Sequence, residues 1–104
     1  MGASNGNIES AVNAADGISD FVLSPHALLE MQRRGIDEAT IRQVVTRPEQ
    51  RDELRPGRDV LQSRTELRGK MYLLRVFVDV DRLPAEVVTV YRTSKVDKYW
   101  RGES

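Results

Sequence analysis

The chain lacks cysteine entirely and has one histidine, His26. Without cysteine there is no disulfide framework and no thiol chemistry. With one histidine, a metal site would rest on carboxylates, and their spacing offers no ligand pattern. Neither metal nor cofactor is expected. Net charge is missing as well: sixteen basic residues balance sixteen acidic ones. Charge in bulk therefore makes no case for nucleic acid. No apolar run is long enough to span a membrane, and the first residues lack the basic start and apolar run of a signal peptide. The expectation is a cytoplasmic protein without a membrane partner. The 104 residues suffice for one domain with a small core.

What is present changes character along the chain. Residues 1–20 are rich in Gly, Ala, Ser and Asn and carry Glu9, Asp16 and Asp20 without a basic residue. Their composition predicts a flexible tail over 1–20, followed by a single domain over 21–101. Phe21-Val22-Leu23 suits a three-residue strand. Ser24 and Pro25 then make a helix start, as N-cap and first helical residue. That helix is predicted to reach Arg34 and stop at Gly35, with Ala27, Leu28 and Met31 as its apolar side. Asp37 caps a second helix that buries Ile41, Val44 and Val45 and ends before Pro48.

Beyond Pro48 the apolar period shortens to two. Gln50–Arg55 is polar and reads as an edge strand. Pro56-Gly57 makes a turn, Asp59–Glu66 alternates, and Leu67–Lys70 makes a hairpin turn. Met71–Val80 is apolar on both faces and belongs in the middle of a sheet. Leu74, Val76 and Val78 line one face of it, and Leu73, Arg75 and Phe77 the other. In the last strand Val88 and Val90 are expected to face the core. The fold class predicted is α+β: two N-terminal helices packed on one face of a twisted antiparallel sheet of three to four strands. The other face stays partly open, with Arg75, Thr89 and Tyr91 as candidates to line it.

Candidate chemistry gathers in Val87–Trp100, V-V-T-V-Y-R-T-S-K-V-D-K-Y-W. A β-prone run leads there into a basic, aromatic patch of Arg92, Lys95, Lys98 and Tyr99, against the single acid Asp97. Such a patch suits an anion or nucleic-acid contact. The plain alternative is a packed last strand followed by solvated lysines, with Trp100 as a lid over the core. Arg75 is the one basic residue inside the most apolar strand, so it needs a function or an ion pair across the sheet, with Glu66 or Glu86. His26 sits at a helix start, where the macrodipole favours the neutral, basic imidazole. The alternative is a helix-start residue held by Glu30.

S-P-H-A-L-L-E-M-Q-R-R-G-I at Ser24–Ile36, with V-T-V-Y-R-T-S-K-V-D-K-Y-W at Val88–Trp100, resembles a widespread family of small prokaryotic domains of unknown function. That family looks like a branch of the RelE-like class of toxin folds, which includes barnase, EndoU and colicin nucleases. The resemblance covers roughly Val22 to Trp100. It implies a RelE-like fold, metal-independent RNA cleavage of a toxin–antitoxin system, and a cognate antitoxin as partner beside the RNA. Metal-free cleavage needs a proton carrier and a cation on the phosphate. His26 is the candidate for the first role, and Arg75 with Lys95 for the second. Tyr91, Tyr99, Thr89 and Arg92 are candidates to bind the nucleotide. The competing reading is a non-catalytic module on the same fold, binding protein or nucleic acid. Convergence of His26, Arg75 and Lys95 in one cleft would separate the two.

Overall fold

The computed structural model describes residues 15–102. It opens on a short strand, β1 (Phe21–Leu23), and two helices, α1 (Pro25–Arg34) and α2 (Glu38–Thr46). Four longer strands follow: β2 (Gln50–Arg55), β3 (Arg58–Leu67), β4 (Lys70–Asp79) and β5 (Ala85–Thr93). One helical turn, α3 (Val96–Tyr99), ends the regular structure. The helix boundaries follow from their caps. The Ser24 hydroxyl accepts from Ala27 N at 3.0 Å, and the Asp37 carboxylate accepts from Thr40 N at 2.8 Å. Gly35 closes α1 in the left-handed conformation, with φ 64°, which glycine adopts without a Cβ penalty.

The sheet corrects the expected fold class. It has five strands in the order β1-β5-β4-β3-β2 and is mixed, not antiparallel with three or four strands. β1 runs parallel to β5, pairing Phe21 with Ala85 and Leu23 with Val87. All other neighbours are antiparallel. The reason is one of range. A three-residue run has no local partner, and its mate lies more than sixty positions along the chain. Periodicity specifies which residues face inward and carries no information about strand direction. β4 does occupy the centre, and β2 the far edge.

The core lies between the sheet and the first two helices. Ala27 and Met31 of α1 and Ile41, Val44 and Val45 of α2 pack on Leu61, Leu74, Val76, Val78, Val87 and Val90. Two expected core residues differ. Leu28 is 48 % exposed, because α1 packs chiefly on β5 and buries only a narrow stripe. Val88 is only half-buried. The register runs Phe77↔Thr89 and then Val78↔Val87, so Val88 is the extra residue of a β-bulge. The bulge turns Val87 into the core in its place.

Most of the expected tail, residues 1–14, lies outside the described residues. Its last part meets the fold directly. Ala15 N donates to Pro48 O and Ile18 N to Val45 O, at 3.1 and 2.8 Å, and Ile18 packs against the core.

Candidate functional site

Strand alternation sends Arg75 away from the helices, and register places it in a polar row that crosses the sheet. Gln50 of β2 pairs with Gln62 of β3, Gln62 with Arg75 of β4, and Arg75 with Tyr91 of β5. Side chains join along this row. Gln62 Nε2 donates to Gln50 Oε1 at 2.7 Å, and Arg75 Nε donates to Gln62 Oε1 at 2.9 Å. Gln62 is 1 % exposed, so each of these bonds is made where water cannot replace it. Among the described residues no carboxylate lies within ion-pair range of Arg75, and Glu86 is instead bound by Arg82 at 3.1 Å. Burial draws the Arg75 guanidinium below the usual arginine value.

The segment after β5 folds back over this row. The Arg75 guanidinium lies 4.2 Å from the centre of the Tyr99 ring, and the Arg64 guanidinium 4.0 Å from the Trp100 ring. Gln62 Nε2 also donates to Tyr99 O at 3.2 Å. Gln50 clasps Arg101 from both sides: Arg101 N donates to its Oε1, and its Nε2 donates to Arg101 O. Arg101 completes the clasp with an ion pair to Asp52 at 2.8 Å. The face expected to be partly open is therefore covered over this row by residues 99–101.

Tyr91 stands beside this lid, with its ring edge-on to Tyr99 at 6.0 Å between centres. β1 stops at Leu23, opposite Val87; beyond it the Ser24 hydroxyl donates to Val88 O, and among the described residues no further strand pairs with β5 on that side. Past that point Arg34 at the end of α1 reaches Tyr91, 5.8 Å from its ring centre. The Tyr99 hydroxyl is held below the usual phenol range, first by hydrogen bonding with Tyr91 and then by the charges of Lys98 and Arg75.

The residues singled out by sequence divide. Arg75, Tyr91 and Tyr99 meet. Thr89 shares their face one row away, opposite Phe77. Arg92 lies on the opposite face, paired with Leu74 and set over the Tyr72 ring at 5.7 Å. Lys95 is exposed between β5 and α3, its N–H bonded to the Thr93 hydroxyl. It lines a shallow depression with Arg64, Met71 and Lys98. His26 is exposed on the first turn of α1, about 12 Å of helix rise from Arg34, which meets Tyr91. His26 thus stands apart on α1, while Lys95 lies at the rim, in a depression that shares Arg64 and Lys98 with the residues around Tyr99 and Trp100. Gln50, Gln62, Asp52, Arg34 and Arg64 belong to the site without having been singled out. Gln62 alone carried a signal, a polar residue sharing a face with Val60 in an alternating strand.

Among the described residues no three His, Asp or Glu side chains gather as a metal site would require. No helix there is long and apolar enough to cross a membrane. The class defined so far is a small five-stranded mixed sheet with two helices on one face and an arginine–tyrosine cluster on the other. Residues 23–92 match the family model DUF4258, a domain of unknown function, and the chain belongs to that family. This match carries no link to RelE-like toxins. No curated protein and no solved structure matches the chain.

Proposed function

We propose that this domain binds single-stranded RNA on the sheet face that carries Arg75 and Tyr91. One observation carries the reading. Arg75 is a partly buried guanidinium with no carboxylate partner among the described residues, and only its Nε has a hydrogen-bond acceptor there. A guanidinium so placed offers its remaining N–H groups to a phosphate in a two-pronged arrangement. Tyr91 beside it supplies a face on which a base can stack. Lys98 adds positive charge close by, and Arg34 reaches Tyr91 while paired with Glu30. His26 stands apart from Arg75, so the reading rests on binding, and the His26-based cleavage expected from the resemblance is not part of it.

Fluorescence anisotropy of a labelled single-stranded RNA oligonucleotide tests it. Arg75→Ala is expected to weaken binding about tenfold, the scale of a charge-assisted hydrogen-bonded contact. Arg92→Ala, on the opposite face, is expected to leave it unchanged. Equal losses in both variants would reduce the interaction to general charge. The salt dependence should be shallow, with a slope of about −2 if some three phosphates are neutralised. Incubating the same RNA in excess chelator reads out cleavage. Appearance of 2′,3′-cyclic phosphate ends would extend the proposal to a toxin-like endoribonuclease, and growth arrest on induced expression is its cellular counterpart.

A further inference from the structure

We infer that the chain's own end, Tyr99–Arg101, is a displaceable lid that competes with RNA for the Arg75 face. The inference rests on the RNA-binding reading and concerns how that site is controlled. Three contacts of the lid resemble ones that a nucleotide would make. Tyr99 covers the Arg75 guanidinium as a stacked base would, and Trp100 does the same for Arg64, at 4.2 and 4.0 Å. The Tyr99 carbonyl accepts from Gln62 where a phosphate or base oxygen could accept. The clasp that holds the segment down is at the surface. Asp52 and Arg101 side chains are 45 % and 55 % exposed, so their pair is weak and salt-sensitive. The segment is the last residue of α3 and the two that follow, and none of them belongs to the core under the helices, so its displacement leaves that core intact. A nucleotide can therefore take over the two stacking contacts and the Gln62 bond, while the Arg101–Asp52 pair is broken.

Trp100 is the only tryptophan in the chain, so its fluorescence reports the lid directly in the full-length protein. Titration with the labelled single-stranded RNA is expected to shift Trp100 emission to longer wavelength, with the same midpoint as the anisotropy change. Arg101→Gln gives a test of sign. It removes a positive charge, so simple electrostatics would weaken RNA binding. Loss of the Asp52 clasp should instead tighten it by about threefold, the scale of one exposed ion pair. Arg68→Gln, in the hairpin turn and away from the face, serves as the charge control and should not tighten binding. RNA binding with unchanged Trp100 emission, or weakening in Arg101→Gln, would overturn the lid and leave the binding reading in place. Absence of binding by the wild type and Arg101→Gln alike would overturn both.

Discussion

Gln62 is the residue on which the candidate site depends most. It is buried in β3, accepts from Arg75 and donates to Gln50 and to the Tyr99 carbonyl. Gln62→Leu preserves most of the volume but strips three buried or half-buried groups of their partner. Leaving such groups unsatisfied costs about 1–3 kcal/mol, and denaturant melts should show a loss of that size. A loss near zero would mean that water replaces the amide. The row was partly legible beforehand. Arg75 stood out as a charge in an apolar strand, and Tyr91 and Tyr99 as tyrosines in a basic stretch. Their meeting was not legible, because it depends on strand register and on the return of the chain end across the sheet. His26 and Lys95 stood out on equal chemical grounds; the fold puts His26 on the first turn of α1 and Lys95 at the rim beside Lys98.

At the level of elements, both helices were written locally in Ser24-Pro25, Gly35 and Asp37, whose roles need only neighbours in sequence. β3 followed from alternation, β4 from an apolar run and β2 from its polar edge character, with the turns at Gly57 and Gly69 between them. The bulge at Val88 was not written anywhere in its strand, since Val87 and Val88 are the same residue type. The segment 15–20 behaves as a docked element. Gly17 lies so close to α2 that a Cβ there would run into the Thr46 carbonyl, and Ile18 packs on the core. Gly17→Ala should therefore lower the melting temperature by several degrees, corresponding to about 1–2 kcal/mol. An unchanged melting temperature would show that the segment contributes nothing to stability.

For the whole molecule, acid stability is the property to measure. Arg58 binds Asp79 through two bonds, at 2.6 and 3.2 Å, and holds its carboxyl below the usual carboxylate range. A group depressed in the folded state stabilises above its unfolded pKa, about 3.9. That stability is lost as the pH falls through the folded value. The wild type should thus lose stability below about pH 4, and Asp79→Asn should start lower at neutral pH and show a shallower acid limb. Parallel curves would sink the assignment. The same pair ties β3 to β4 across the sheet, where local and global information meet. By itself the sequence determined the helix limits, the alternating strands, the central place of β4 and the oddity of Arg75, because caps, turns and periodicity act over a few residues. Only the tertiary structure decided the parallel β1, the burial of Val87 in place of Val88, and the closing of the chain end over Arg75. Those features rest on pairings between residues far apart in the chain, and no local preference encodes which distant partner a strand edge will find.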